Sequence, residues 1–369
     1  MVIDRDFWNG RCVFLTGHTG FKGAWMALLL RYLGTKVFGF ALAPENREGL
    51  FNVVGLEHQL VHREGNLCDL VAVEESICEA KPEIVIHMAA QSIVRRSYWD
   101  PVRTFATNTL GTAHVLESVR RTPSVKAVVI VTSDKCYENR GWGWSYRETD
   151  SLGGHDPYSS SKACAELIVQ SYRRSFFHSS ASPHIATARA GNVIGGGDWA
   201  EDRIVPDAIR AFMRGTALMV RNPGAVRPWQ HVLDPVVAYL LLVERLWAGE
   251  EGAAEAWNFG PPSSDHVSVG AITEALARLW GRGAHWEKYS DETLHEAPYL
   301  ELNCSKAHTK LGWRPLLGLE DALQLTVDWY RAFQNHADMY EITIAQIEQA
   351  LRMGPDSLRH CRGITSTVG

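Results

Sequence analysis

Strand-like and helix-like segments alternate along the first half of the chain, and this alternation limits the fold more than any other feature. Short apolar runs predict buried strands, and the segments between them carry apolar residues at helical spacing. Such alternation is typical of a parallel sheet covered by helices on both faces. The predicted strands are residues 12–16, 36–41, 84–87, 125–132 and 185–189, and the predicted helices include residues 21–33 and 70–80.

A glycine-rich loop, Gly17-His18-Thr19-Gly20-Phe21-Lys22-Gly23, joins the first predicted strand to the first predicted helix. Glycines let the backbone approach a pyrophosphate, whose charge the N-terminus of the helix stabilises. The spacing G-x-x-G-x-x-G differs from the usual G-x-G-x-x-G, and glycine turns at such junctions are common. Its position at the first strand–helix junction nevertheless favours a dinucleotide site. We therefore predict an α/β fold with a Rossmann-type, doubly wound parallel sheet.

The segment after the second predicted strand bears on the choice of dinucleotide. An acidic residue there typically holds the adenosine ribose, whereas a basic residue accommodates a 2′-phosphate. Glu45 would favour NAD and Arg47 would favour NADP, and exposure of both side chains to solvent is equally compatible with the sequence. We expect NAD without excluding NADP.

The strand–helix pattern weakens after about residue 190, where a glycine-rich segment of residues 191–199 begins. Residues 234–247 predict an apolar helix and residues 256–259 a strand, and both fit a return to the sheet. We therefore predict a dinucleotide-binding domain of residues 1–190 plus about 229–259, and a smaller, discontinuous C-terminal substrate lobe. The lobe comprises about residues 191–228 plus 260–353, and residues 354–369 form a tail.

The charge and cysteine patterns argue against several classes of function. The net charge is −5 without long runs of like charge, so neither nucleic-acid binding nor a membrane-surface role is indicated. The apolar stretches are too short to span a bilayer, and the first residues lack a signal-peptide core. Seven cysteines without C-x-x-C or Cys/His ligand spacing favour free thiols, a cytoplasmic location and no metal site.

Three Asp-Pro pairs, at residues 100–101, 156–157 and 234–235, each predict the start of a helix. Aspartate accepts hydrogen bonds from the free N–H groups of the first turn, and proline fits that turn. The second pair places Tyr158 in the first turn of its helix and Lys162 one turn further on.

Tyr158 and Lys162 are four residues apart, so their side chains share one helix face. We expect the ammonium group of Lys162 to lower the pKa of the Tyr158 phenol, which would make it a base for a hydroxyl group. Removing that proton is the first requirement for passing a hydride to a nicotinamide. Tyr-x-x-x-Lys also arises by chance on amphipathic helices.

Upstream, Ser133 stands at a predicted strand end, followed by Asp134 and Lys135, a second acid/base pair that alcohol oxidation does not need.

Together these residues resemble the extended short-chain dehydrogenase/reductase family, over the chain to about residue 330. The resemblance implies that Ser133 helps bind the substrate hydroxyl, Tyr158 is the base, and Lys162 binds the nicotinamide ribose. It also implies further cofactor-binding positions: Asn66 and Leu67 at the adenine, with Asn where the family usually has Asp; Ala89, Ala90 and Gln91 in the loop after the fourth strand; and Asn108 at a structural or catalytic position.

Residues 132–137, 189–199 and 227–232 narrow the resemblance to the subfamily of CDP-glucose 4,6-dehydratases. That resemblance implies a nucleotide-sugar substrate, deoxysugar biosynthesis of the kind that supplies lipopolysaccharide O-antigens, and a homodimer or dimer of dimers built from the helices beginning at Pro101 and Pro157. Their apolar faces fit an internal core equally well. For Trp229 and Trp199, flanking the substrate and a purely structural role remain open alternatives. The implied substrate-binding residues are Ser133, Asn192, Arg203, Arg227, Trp229 and Gln230.

The implied reaction is oxidation at C4 of the sugar, loss of water across C5 and C6, and return of the hydride to C6. Asp134 would protonate the departing 6-hydroxyl, and Lys135 would remove the C5 proton. That role requires a neutral amine, which burial and Lys162 favour and Asp134 opposes, so stabilisation of an enolate by Lys135 stays open. The alternatives are a 4-epimerase, a dehydratase of another nucleotide sugar, and a catalytically silent NAD(P)-sensing protein.

Overall fold

The computed structural model describes residues 3–179, 182–289 and 300–353. The strands are β1 (Cys12–Thr16), β2 (Lys36–Ala41), β3 (Val61–Glu64), β4 (Ile84–His87), β5 (Ala127–Val131), β6 (His184–Ala190), β7 (Val193–Ile194), β8 (Leu218–Val220), β9 (Val226–Pro228), β10 (Gln230–His231), β11 (Ala256–Phe259), β12 (His266–Ser268) and β13 (Trp286–Lys288). The helices are α1 (Arg5–Trp8), α2 (Phe21–Tyr32), α3 (Leu50–Val53), α4 (Leu70–Ala80), α5 (Val94–Trp99), α6 (Pro101–Phe105), α7 (Gly111–Arg120), α8 (Pro157–Ser175), α9 (Ile204–Met213), α10 (Leu233–Trp247), α11 (Val269–Trp280), α12 (Leu319–Gln334) and α13 (Met339–Met353).

The central sheet of the described residues has seven parallel strands in the order β3-β2-β1-β4-β5-β6-β11. The chain winds outward from β1 to β3, then returns to the middle of the sheet and continues through β4. The strand order reverses between β1 and β4, which is where a doubly wound sheet opens a crevice at the carboxyl ends of its strands. The predicted Rossmann-type α/β fold is confirmed.

Side chains of each strand alternate between two apolar layers. Val13 and Leu15 of β1 join the layer formed with α2 and α10, whereas Phe14 joins the layer formed with α4, α7 and α8. Because both faces are covered, the strands are almost continuously apolar, as expected for a parallel sheet.

The C-terminal half adds α9, α11, α12 and α13 together with three small strand pairs, β7–β10, β8–β13 and β9–β12. Its apolar side chains belong to the same core as the α2 side of the sheet. The division into a dinucleotide domain and a substrate lobe therefore stays a prediction, and the predicted tail lies outside the described residues. No helix of the described segments combines the length and the apolarity that crossing a bilayer requires.

Two of the three predicted helix caps are confirmed. Asp100 accepts from the N–H of Arg103, and Asp156 accepts from the N–H of Ser159. The third is wrong, because α10 begins at Leu233, and Asp234 lies within its first turn. The buried Asp234 carboxylate instead accepts from the N–H groups of Leu316 (2.6 Å) and Leu317 (3.3 Å), which lie far away in the sequence.

Candidate active site

The glycine loop forms a cradle at the carboxyl end of β1. Gly17 has φ of +78°, and a Cβ there would lie 2.7 Å from the backbone of Ala89. A Cβ on Gly23 would lie 2.0 Å from the carbonyl oxygen of Gly17, and Gly20 is the N-cap residue of α2. Side chains at Gly17 and Gly23 are thus excluded sterically, and the first-turn N–H groups of a helix are donors without helical partners. This cradle fits the pyrophosphate of a dinucleotide.

His18 does not present its side chain to this cradle. The imidazole is buried, its Nε2 lies 2.7 Å from Nδ1 of His62, and the ring packs against Phe51. Burial lowers the pKa of His18 to about 3, so the ring is neutral. Only the backbone of His18 therefore remains for the predicted cofactor contact.

The two residues predicted to contact the adenine, Leu67 and Asn66, also use their side chains for contacts within the protein. Leu67 is buried in the core against Gly111, so its side chain packs rather than binds. The Asn66 side chain accepts a hydrogen bond from the N–H of Cys68 (3.0 Å), which shapes the turn after β3. Glu45, the candidate ribose acid, forms an exposed ion pair with Arg96 (2.7 Å).

Asn108 joins the loop after β4 to α8. Its Oδ1 accepts from the N–H of Gln91 (2.8 Å), and its Nδ2 donates to the Gln91 carbonyl (2.9 Å) and to Ser161 Oγ (2.9 Å). Asn108 lies in a π-helical turn, Ala106–Leu110, of the kind often found at functional sites. Asn108 thus holds the Gln91 end of the segment formed by Ala89, Ala90 and Gln91, and Thr16 Oγ1 accepts from the Ala89 N–H at its start.

Tyr158 and Lys162 are both buried on α8, and Lys162 Nζ donates to the carbonyl of Val131 at the end of β5 (3.2 Å). Burial raises the pKa of Tyr158 to about 12; the Ser133 side chain and Arg203 oppose that shift, and Asp134 adds to it. The expected lowering of the Tyr158 pKa by Lys162 is therefore wrong, because desolvation of the phenol dominates.

Ser133, Asp134 and Lys135 follow β5 in a short 3₁₀ turn, Asp134–Cys136. Ser133 Oγ donates to Asp134 Oδ1 (2.9 Å) and accepts from the N–H of Lys135 (3.2 Å). Burial raises the pKa of the Asp134 carboxyl, although Lys135, Ser133, Arg227 and Lys22 oppose the shift. The raised pKa favours the neutral acid that the predicted role requires. Lys135 is partly buried.

Arg203 and Arg227 reach the same site from the C-terminal half. Arg203 donates to Asp198 Oδ2 (2.8 Å) and to Ser92 Oγ (3.1 Å), and its charge acts on Tyr158. Arg227 lies on β9 close enough for its charge to favour ionisation of Asp134. Asn192 lies in the turn between β6 and β7, in a partly buried position.

The side chains of the remaining predicted substrate-binding residues are packed within the protein. Trp229 is buried, and its Nε1 donates to the carbonyl of Val267 (3.2 Å). Gln230 is also buried and donates to the Phe259 carbonyl (3.3 Å), and Trp199 packs against Tyr330. For Trp199 and Trp229 the structure thus favours the structural alternative, because both rings are packed against other parts of the protein.

Sequence reasoning missed Tyr239, which lies beside the predicted cofactor-binding residue Lys22. Lys22 Nζ lies 5.9 Å from the Tyr239 ring centroid, and burial, Arg203 and Lys162 lower the pKa of Lys22 to about 7. The buried Tyr239 hydroxyl has no hydrogen-bond partner among the described residues, and burial, followed by the charges of Tyr158 and Asp134, raises its pKa. The available signal was a single phenol within residues 236–243 of α10, which are otherwise apolar.

No group of His, Cys, Asp and Glu side chains within the described segments is arranged to hold a metal ion. The site instead combines a pyrophosphate cradle, a Ser-Tyr-Lys group and an adjoining buried acid. This combination on a doubly wound sheet defines a short-chain dehydrogenase/reductase of the extended type.

The chain belongs to the family described as GDP-mannose 4,6 dehydratase, whose model matches residues 14–326. It is 46% identical over 342 residues to a CDP-glucose 4,6-dehydratase of Salmonella typhimurium, covering 92% of this chain and 95% of that protein. It is 26% identical to a dTDP-glucose 4,6-dehydratase of Haemophilus influenzae, with coverage of 86% and 97%.

Solved structures show the same fold. A UDP-glucose 4-epimerase from Thermotoga maritima aligns with a TM-score of 0.77 at 24% identity, covering 87% of this chain and 99% of that chain. A dTDP-glucose 4,6-dehydratase from Streptomyces venezuelae, with NAD and TYD bound, aligns with a TM-score of 0.74 at 24% identity, with coverage of 88% and 98%.

Proposed function

We propose that this protein is an NAD-dependent CDP-glucose 4,6-dehydratase that forms CDP-4-keto-6-deoxyglucose and water. The observation that carries the proposal is the buried acid Asp134 beside Tyr158, since an epimerase needs no acid at C6. The choice of cytidine rests on the similarity to the Salmonella typhimurium enzyme, which extends over almost the full length of both chains.

The glycine cradle, the loop after β4 and Lys162 are the proposed cofactor-binding elements. When bound, NAD supplies the hydride acceptor for C4 and the hydride donor for C6. Asn108 fixes the loop after β4, and the buried Lys162 provides donors for ribose hydroxyls.

In the first half-reaction, Tyr158 Oη accepts the proton of the sugar 4-hydroxyl. Ser133 and Arg203 favour the phenolate that begins this step, against the desolvation that raises the Tyr158 pKa. Oxidation at C4 makes the C5 proton acidic, because the 4-ketone stabilises the resulting enolate.

In the second half-reaction, Lys135 removes the C5 proton and Asp134 protonates the departing 6-hydroxyl as water. C5 is then reprotonated when the hydride returns to C6. Burial favours the proton-carrying form of Asp134, and Ser133 Oγ donates a hydrogen bond to its carboxyl group. Arg227 and Arg203 are the proposed partners of the substrate diphosphate, because a guanidinium group binds phosphate through paired donors.

A turnover panel tests this function. The purified protein is incubated with CDP-, dTDP-, GDP- and UDP-glucose, with NAD or NADP added, and the 4-keto product is detected by its chromophore in alkali. We expect the highest kcat/KM for CDP-glucose with NAD. A product that keeps its 6-hydroxyl, or a clear preference for another nucleotide, would contradict the proposal.

We also infer that the protein forms a homodimer through α5, α6 and α8. These helices pack together and expose large apolar side chains, and such clusters on a monomer usually mark an interface. A second copy fits because the same helices can pair with themselves about a two-fold axis. The exposed side chains of these helices are Trp99 and Val102 (both 78%), Leu167 and Phe105, and Leu110 and Phe176 follow the ends of α6 and α8.

We expect the protein to act in the cytoplasm. The cysteines of the described residues are free thiols, which persist in a reducing compartment.

A further inference from the structure

A buried ion pair that the proposed reaction does not use lies beneath the site. Glu166 is on α8, one turn beyond Lys162, and Arg189 is on β6. Arg189 Nε donates to Glu166 Oε1 (2.9 Å) and Nη2 donates to Oε2 (2.8 Å), and each side chain is only 3% exposed. The contact is thus bidentate and almost fully desolvated.

Glu166 also binds the start of the segment that carries the acid/base groups. Its carboxylate accepts from Thr132 Oγ1 (2.5 Å) and from Thr187 Oγ1 (2.8 Å). Thr132 directly precedes Ser133, so the position of Glu166 sets the position of the Ser133 backbone.

Arg189 binds the end of the same segment. Its Nη1 donates to Tyr137 Oη (2.7 Å), and its guanidinium group lies 4.9 Å from the centre of the Tyr137 ring. Tyr137 follows the 3₁₀ turn and donates in turn to Asn258 Oδ1 (2.7 Å) on β11. One ion pair therefore holds both ends of residues 132–137, between which Ser133, Asp134 and Lys135 stand.

The same pair supplies negative charge to Lys162. Burial lowers the pKa of Lys162 to about 8, and the charges of Glu166 on its own helix and of the Cys136 thiolate form oppose that shift. Lys22 faces Lys162 from α2, and His87 faces it from β4 as a neutral ring. The Cys136 thiol is itself kept neutral by burial, which leaves Glu166 as the fixed anion among these neighbours.

We propose that Glu166 and Arg189 are positioning residues that place a negative charge one helical turn from Lys162 and hold the Asp134–Lys135 turn in register with Tyr158. Replacing a buried ion pair by apolar residues is often neutral or stabilising, so stability alone does not account for this pair. The hydrogen bonds of the pair to Thr132 and Tyr137 account for it by giving it a positioning role. The inference rests on the proposed function only where it is tested by measurements of catalysis.

Two nearly isosteric variants separate the effect of the pair on Lys162 from its effect on the position of the Asp134–Lys135 turn. Glu166→Gln keeps the shape but removes the charge, and we expect the alkaline limb of kcat/KM to move about one pH unit or more towards acid. Tyr137→Phe removes the hydroxyl that Arg189 binds, and we expect dehydration to slow about 10- to 100-fold while C4 oxidation is kept. Accumulation of reduced nicotinamide in a single turnover distinguishes the two steps.

Glu244→Gln is the matched control, since Glu244 on α10 accepts from Trp8 Nε1 (2.7 Å) remote from the site. We expect it to change Tm without moving the pH profile. Glu166→Gln and Tyr137→Phe variants that lower Tm but keep both the pH profile and the ratio of the two steps would overturn the proposal.

Affinity for NAD as a function of pH, followed by tryptophan fluorescence, tests the Lys162 part without any substrate. We expect the affinity of Glu166→Gln to fall at lower pH than that of the wild type, whether or not CDP-glucose is turned over. An unchanged NAD titration would overturn this part even if the proposed function holds. If Glu166→Gln does not fold, Tyr137→Phe still decides the positioning part.

Discussion

Asp134 and Glu166 are buried to the same extent, yet their carboxyl groups carry opposite pKa shifts. For Asp134, desolvation outweighs its cationic neighbours and raises the pKa. For Glu166, the bidentate Arg189 and two threonine hydroxyls outweigh the same desolvation and lower the pKa. Burial therefore favours the neutral, proton-carrying form of Asp134, whereas Glu166 is held as a negative charge.

Lys135→Met removes the proposed base at C5 and keeps most of the side-chain volume. We expect C4 oxidation to continue and product formation to fall about 100-fold or more. Single-turnover accumulation of reduced nicotinamide measures the first step, and the alkaline chromophore measures the second. Lys36→Met, at the exposed start of β2, is the control. Release of product by Lys135→Met at the wild-type rate would show that the assignment is wrong.

Gly191 makes room for the proposed acid. A Cβ at this position would lie 2.9 Å from Asp134 Oδ2, so Gly191→Ala must displace the carboxylate or the loop. We expect dehydration to slow about 10-fold or more with C4 oxidation less affected. Gly143→Ala is the control, because a Cβ there meets no atom within 4 Å. Equal kinetics for the two variants would contradict this role of Gly191.

At the level of elements, α8 carries Tyr158, Lys162 and Glu166 on successive turns, so one helix sets the spacing of three buried polar groups. Its N-terminus is held by Asp156, which accepts from the N–H (2.9 Å) and the Oγ (2.6 Å) of Ser159. The cap therefore fixes the turn that contains Tyr158.

Asp156→Ala should cost about 1 kcal/mol of unfolding free energy and also lower kcat, because the first turn of α8 loosens. Asp4→Ala removes the equivalent cap of α1, which accepts from the N–H groups of Asp6 and Phe7 and precedes the amino end of β1, opposite the glycine cradle. We expect the same loss of stability there with unchanged kcat. Urea unfolding and steady-state kinetics on both variants test this, and equal kcat values would refute it.

At the level of the whole molecule, the apolar surface of α5, α6 and α8 is the strongest indication of assembly. Val102→Glu places a charge on this surface, and we expect it to shift the proteins in sedimentation velocity from dimer to monomer. Val71→Glu, at a similarly exposed valine of α4, is the control and should leave the sedimentation coefficient unchanged. A wild-type protein that sediments as a monomer at micromolar concentration would contradict the inferred dimer.

The wrong predictions share one cause. The Asp234 cap and the direction of the Tyr158 pKa shift were both inferred from neighbours in the chain. Each is decided by residues distant in sequence: Leu316 and Leu317 for Asp234, and the sum of the surrounding burial for Tyr158. The confirmed caps of Asp100 and Asp156 involve partners only three residues away.

The sequence by itself determined the parallel sheet, the glycine cradle at the end of β1 and the position of Tyr158 and Lys162 one turn apart on the same helix. Those features depend on strand and helix periodicity and on contacts within a few residues. Only the tertiary structure decided which groups are charged, because desolvation and charge add over neighbours from many elements. It also joined Glu166 of α8 to Arg189 of β6, and it placed the ring of the buried Tyr239 of α10 beside Lys22 Nζ.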